Sequence, residues 1–310
     1  MHHLHALLEI IRYPLFAIPI AATLPGALIA SEGKFTWRVS VSLAIATIGY
    51  FAGMMKNDYF HRHQDAIANP HRPIPSNRLP AKQVLTIASV SYILCLIAGF
   101  LMSLKAGLLV IGLVIISHAY NAILKERGIW GSISLPVGIG LLSVFGALVV
   151  ADRVPVKVWY VFVAIALYDF GTHITTTFKD LERDRKVGIL TTPLQIGVGP
   201  ALIVSATATT AAFMVAILPV WTEDLLADAG WHYVCWVGIA AVATFISRLP
   251  LYLHPSEKNG YAALKGSMVG AITFFPCLIG TELKFWQSAF VILPLLAITF
   301  TLLQRSKQEV

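Results

Sequence analysis

Apolar residues run along this chain in long blocks rather than in the alternation of a strand or the single stripe of a surface helix. A bilayer core takes about 20 such residues per helix. On that length the blocks predict spans over residues 6–30, 37–56, 82–103, 105–121, 131–150, 155–178, 199–220, 231–249, 260–281 and 285–303. The expected fold is therefore all-α, a polytopic transmembrane helical bundle of ten spans, or nine if one pair forms a single bent or re-entrant element.

Composition agrees. Of 310 residues, 57% are apolar and only 13% charged. The charge shortfall is the stronger sign, because a water-facing surface needs charge and a lipid-facing one forbids it. A net charge of +7 then reads as loop asymmetry rather than as a nucleic-acid surface. With the N-terminus in the cytoplasm, fifteen of the 23 Lys and Arg fall on the inner side, Arg248 among them, and six on the outer. The outer segment with Glu223, Asp224 and Asp228 carries no Lys or Arg. This predicts an integral membrane protein with its N-terminus and polar loops cytoplasmic. Glu9 and Arg12 interrupt the first apolar stretch, so it does not read as a signal peptide. Cys95, Cys235 and Cys277 lie in apolar runs without metal-ligand spacing and read as small hydrophobes.

Two inner segments carry candidate chemistry. In the first, Asn57, His61 and Asp65 share a helix face at i, i+4 and i+8, with Asp58 beside them. In the second, Asp169, His173, Asp180 and Asp184 fall on one face at i, i+4, i+11 and i+15. Asp169 and His173 would lie at membrane depth, where ionisable groups are rare and usually functional. Charges after a span are often only a solvated cap. Two clusters on one side, each on one face, argue for more. Mg²⁺ takes oxygen ligands, commonly one or two carboxylates completed by substrate phosphates and water. Facing carboxylates predict two Mg²⁺ ions on a diphosphate, with Arg and Lys taking the remaining phosphate oxygens.

The run from Asn57 to Asp65, followed by Asn69-Pro70-His71-Arg72-Pro73-Ile74-Pro75-Ser76, resembles the first signature of the UbiA superfamily of intramembrane prenyltransferases. Lys179 to Gly188 resembles the second signature, and Tyr120, Asn121 and Lys125 stand where that family has a Tyr- and Lys-bearing loop. The resemblance covers about 10–280. It implies one transmembrane domain over 1–310 with a core over about 10–281, a central cavity open to lipid, and 285–303 as an extra span. It also implies Mg²⁺ and a polyprenyl diphosphate as partners. Asn57, Asp58, Asp65, Asp180 and Asp184 then correspond to metal ligands. Arg72, Lys125, Lys179 and Arg183 are diphosphate contacts. Asp169 and His173 are further substrate-binding candidates, and His61, Asp65, Asp180 and Asp184 are the catalytic set.

His61 departs from the pattern, standing where the family has a second Asp. Imidazole is a poor Mg²⁺ ligand, so His61 is expected to weaken the first ion site, to contact the diphosphate, or to act as a base. Arg12, His118, Tyr120 and Tyr168 are weaker cavity candidates. The implied activity is prenyl transfer to an acceptor such as an aromatic acid, a quinone precursor, a chlorin or a glycerol phosphate. The alternative within the superfamily is a terpene cyclase that needs no acceptor. A transporter fits less well, because most of the acids lie at helix ends on one side.

Overall fold

The computed structural model describes residues 2–222 and 230–305. The acidic outer segment at Glu223, Asp224 and Asp228, and Lys307, lie outside the described residues. Fourteen α-helices occur among those described: α1 (His2–Ile10), α2 (Ala17–Ala30), α3 (Trp37–Phe60), α4 (Arg62–Ala68), α5 (Ala81–Met102), α6 (Leu104–Ala122), α7 (Ile129–Ala151), α8 (Val156–Thr177), α9 (Leu181–Val187), α10 (Thr192–Ile196), α11 (Val198–Thr222), α12 (Gly230–Leu253), α13 (Glu257–Cys277) and α14 (Phe285–Arg305). Among the described residues, ten helical stretches are long and apolar enough to cross a membrane. The protein is an integral membrane protein built as an all-helical bundle.

The first predicted span is corrected. Residues 6–30 do not form one helix. Arg12 takes a left-handed backbone (φ 50°, ψ 56°) just before Pro14, which ends α1 and leaves Tyr13–Ala30 as the spanning piece. The break turns the Arg12 side chain into the bundle rather than out to headgroups. A second correction concerns Arg248. Its charge suggests a loop, yet it lies inside α12 with no exposed surface. The guanidinium donates to the hydroxyls of Thr172 (2.6 Å), Thr209 (2.7 Å) and Ser267 (2.9 Å) and sits over the Tyr168 ring. Hydrogen bonds of this kind let a buried cation persist.

Helices approach closely where side chains are small, as lipid-embedded packing requires. A Cβ on Gly26 of α2 would collide with the Ser143 backbone of α7, and one on Gly146 would fall 2.6 Å from Thr23 O. Gly171 of α8 lets α11 approach in the same way, with Ser205 O 2.7 Å from where its Cβ would be. The core around Phe145, Tyr168, Phe274 and Phe275 is thereby closed on one side. Leu94, Leu101 and Ile115 of α5 and α6 stay exposed, as a face against lipid should be.

Two helix ends position the polar residues. α3 passes through His61 (φ −94°, ψ 12°) into α4, keeping the bonds His61 N–H to Asn57 O (3.0 Å) and Asp65 N–H to His61 O (2.8 Å). α8 tightens into one 3₁₀ turn at Phe178–Asp180 and continues as α9. Gly188, at φ 76°, ends α9 in the left-handed conformation that glycine adopts freely.

Candidate active site

A cavity of about 390 Å³ opens between these helix ends. Its polar mouth is bordered by Asn57, His61, Asp65, Arg72, Lys125, Lys179, Asp180, Arg183 and Asp184, and Asp169 and His173 lie on its wall. Leu15, Ile18, Ile45, Leu113, Ile139, Leu142 and Phe145 line its apolar part. Of the metal, diphosphate and catalytic candidates read from the sequence, all border this one space except Asp58; of the weaker candidates, Arg12 and Tyr120 border it and His118 and Tyr168 do not. Neighbouring helix positions point about 100° apart. With Asn57 and His61 facing the cavity, Asp58 turns behind it. There it is buried, 3.4 Å from Arg12 and 3.9 Å from Arg72.

The two clusters touch. Arg183 of α9 donates to Asn69 Oδ1 at 2.8 Å, and Asn69 donates through Nδ2 to Asp65 at 3.0 Å. One nitrogen of Arg72, Nη1, donates to both oxygens of Asp65 at 2.8 Å each, a bifurcated, charge-assisted contact. Arg183 and Lys179 also pair with Asp180. Asp184 keeps its carboxyl on the cavity wall.

The turn between α6 and α7, a 3₁₀ segment at Leu124–Glu126, grips both sides. Lys125 donates to Asn57 at 2.8 Å, and Glu126 accepts from Gln64 at 3.0 Å. Three residues on, Gly128 N–H bonds Leu190 O at 2.6 Å and Ile129 N–H bonds Gln195 Oε1 at 2.8 Å. Gly128 adopts φ 58°, and a Cβ there would collide with Gln195. Burial, reinforced by Arg12 and Arg72, pushes the Lys125 ammonium down to about 8. That leaves it a cation at neutral pH, with a charge that an anion would restore.

His61 is 5% exposed, and neither ring nitrogen has a hydrogen-bond partner among the described residues. Its Nδ1 lies 3.6 Å from the Glu126 carboxylate. Burial, then the nearby Lys125 charge, pushes its imidazole down to about 3. His61 is therefore neutral at physiological pH and has one ring N–H to donate and one lone pair to offer. His173 is committed: Nε2 meets the Tyr120 hydroxyl at 3.2 Å and Nδ1 meets Ser132 Oγ at 3.1 Å. Gln64, Asn69 and Glu126 complete the site without having been singled out for a role. Asn69 and Gln64 stand inside the quoted motifs, whereas Glu126 is marked only by its neighbour Lys125.

The donors suit a hard cation. Carboxylate and amide oxygens of Asn57, Asp65, Asp180 and Asp184 face one space, and oxygen is what Mg²⁺ prefers. Among the described residues no three His, Cys, Asp or Glu side chains converge into an all-protein metal cage. Mg²⁺ seldom uses one; substrate phosphates usually complete its shell.

Comparison with known proteins follows the same line. The profile of the UbiA prenyltransferase family matches residues 20–269, leaving α14 outside the match. A digeranylgeranylglyceryl phosphate synthase from Methanothermobacter thermautotrophicus is 31% identical over 165 residues, 53% of this chain and 58% of that protein, so the match spans under two thirds of its length. The bacteriochlorophyll synthase 33 kDa chain of Cereibacter sphaeroides is 31% identical over 233 residues, 71% of this chain and 76% of that one. The structure of a UbiA homolog from Archaeoglobus fulgidus bound to DMAPP and Mg²⁺ superposes with a TM-score of 0.62 at 13% identity, covering 97% of this chain and 99% of that one. That likeness concerns the fold. The match over residues 20–269 decides membership: this chain belongs to the UbiA prenyltransferase family.

Proposed function

We propose that the protein is a Mg²⁺-dependent intramembrane prenyltransferase that takes an allylic polyprenyl diphosphate and passes its prenyl group to an acceptor. The observation that carries this reading is the Asp65–Asn69–Arg183 chain of hydrogen bonds, which joins two acid-and-base clusters at the mouth of an otherwise apolar cavity. An amphiphile with a dianionic head and a hydrocarbon tail matches that division.

Arg72, Lys125, Lys179 and Arg183 gather the diphosphate oxygens, and the apolar wall receives the tail. Asn57, Asp65, Asp180 and Asp184 are the residues that would hold Mg²⁺, with Asp58 supporting the first set from behind. Mg²⁺ held there would supply charge neutralisation to the leaving diphosphate, which would favour scission of the allylic carbon–oxygen bond. The cavity wall keeps water from the cation, and the acceptor captures it with loss of a proton. His61, neutral and unpartnered, is placed to donate one hydrogen bond to a diphosphate oxygen. We further propose a single domain with α14 as an addition, and a cytoplasmic N-terminus and site mouth, in keeping with the distribution of Lys and Arg.

The test is incubation of purified protein with allylic diphosphates of several lengths, with and without EDTA and a pool of acceptors, read by mass spectrometry. Prenylated acceptor formed only with Mg²⁺ is the expected product. No diphosphate release under any condition refutes the reading. His61 in place of an Asp favours a second reading, the cyclase, whose signature is a cyclic product from the diphosphate alone.

A further inference from the structure

The apolar part of the cavity has a closed end. On α3 the lining positions run from Asn57 at the mouth to Ile45, about 18 Å of helix. On α6 they reach Val110, and on α7 they reach Phe145. These three helices pack against one another. Deeper than Tyr50 and Ser117, every lining residue they contribute is apolar or glycine. The polar wall at Asp169, Thr172 and His173 belongs to α8.

Beyond that end the bundle is solid. The face of α3 that carries Ala46 continues through Ser42 to Val39. Neither has exposed surface, and Val39 packs with Leu24, Leu28 and Ile279. On α7, Ser143 and Gly146 stand on either side of Phe145 and meet the α2 backbone at Gly26 and Thr23. Phe145 itself is 1% exposed yet borders the cavity, and its ring is the largest side chain at this end. Close packing behind it leaves no room to yield to a longer chain.

We propose that Phe145 sets the longest prenyl tail the protein accepts: the tail lies in the groove of α3, α6 and α7, and its last unit stops against the Phe145 ring. This rests on the transferase reading and names a specificity-determining residue within it. Each isoprene unit adds four carbon–carbon bonds, about 5 Å when extended. The groove therefore takes about three to four units. Geranylgeranyl diphosphate reaches Phe145, and geranylfarnesyl diphosphate overruns it.

The experiment measures binding of geranyl, farnesyl, geranylgeranyl and geranylfarnesyl diphosphate, and of inorganic diphosphate, to purified protein with Mg²⁺ and no acceptor. Affinity should rise with each unit up to geranylgeranyl, as added apolar surface leaves water, and fall by about 10-fold or more at geranylfarnesyl. Phe145→Ala should bring geranylfarnesyl to within about threefold of geranylgeranyl, and Phe145→Leu should recover part of that. Gly49→Leu works in the opposite sense. A Cβ at Gly49 meets only Cys95 Sγ, at 3.9 Å, so the helix has room for it and the new side chain fills the groove. Geranylgeranyl binding should then fall by about 10-fold or more while geranyl binding falls less. Inorganic diphosphate reports the head site in every variant, and the thermal midpoint in detergent reports folding. Equal wild-type affinity for the two longest tails would mean that the tail leaves sideways between helices and would overturn the stop. So would a cutoff that neither Phe145 variant moves, or tail effects that inorganic diphosphate shares. A wild type that binds none of the five overturns the transferase reading itself.

Discussion

The two acid clusters differ in how far their charge is already spent. At the α3–α4 end, Asp65 is clasped on both oxygens by Arg72 and again by Asn69, and Asp58 is turned to Arg12. At the α8–α9 end, Asp180 pairs among the described residues with Lys179 and Arg183 of its own segment, and Asp184 lies on the cavity wall. The first end resembles a finished socket, stiff before anything binds. The second is held as a unit and docked through Arg183. Rigidity on one side and available carboxylate on the other suit a site that must bind a diphosphate and later release it.

Substituting either carboxylate should cost most. Asp184→Asn and Asp65→Asn should each cut turnover about 100-fold or more, as removal of a charge-stabilising group does elsewhere. They should part company in stability. Asp184→Asn should leave the thermal midpoint in detergent nearly unchanged, while Asp65→Asn should lower it by leaving Arg72 without its partner. A buried pair so broken costs about 3–5 kcal/mol. Arg72 is a quarter exposed, so solvent screening reduces that here to about 1–3 kcal/mol. Equal midpoints would erase the contrast between the clusters.

Lys125 provides a smaller effect with a definite sign. Its folded value near 8 lies below the ordinary 10.5, so its charge is present below about pH 8 and lost above it. The KM for the prenyl diphosphate should therefore rise as pH passes 8, and Lys125→Arg, which stays charged, should flatten that rise. His61→Asp tests the departure from the family pattern. It adds an oxygen ligand near Lys125, Arg72 and Arg12, whose charges reach His61. The Mg²⁺ concentration for half-maximal activity should fall severalfold. A loss of activity at saturating Mg²⁺ would show instead that the imidazole N–H itself is needed.

A separate effect concerns stability in acid. The His61 value is about 3 in the fold against 6.5 when free. The unfolded chain therefore takes up the proton first, and stability is lost as pH falls from about 6.5 toward 3. His61→Gln should soften that decline, measured as the midpoint against pH.

Much of this contrast is legible in the sequence because it is local. The i, i+4, i+8 spacing of Asn57, His61 and Asp65 survives the junction at His61, and the face from Asp169 to Asp184 survives the 3₁₀ turn, since neither defect interrupts the helical path. What was not legible is tertiary. The bond from Arg183 to Asn69 joins residues 114 apart, and no spacing rule reaches that far. Arg248 looks like a loop charge because hydropathy has no term for three hydroxyls waiting on neighbouring helices. For Asp58, sequence gives the adjacency to Asn57 but not that its carboxylate lies beside Arg12. The break at Arg12 depends on a left-handed residue that its side chain does not announce.

The turn at 124–129 holds Asn57 and Gln64 with one end and Leu190 and Gln195 with the other. It works as a gauge block: its length sets the gap between the jaws. One residue inserted between Glu126 and Gly128 would spare every side chain of the site and still alter the width that a pyrophosphate group must fit. Such an insertion should therefore abolish activity while the isolated chemistry of each residue remains intact.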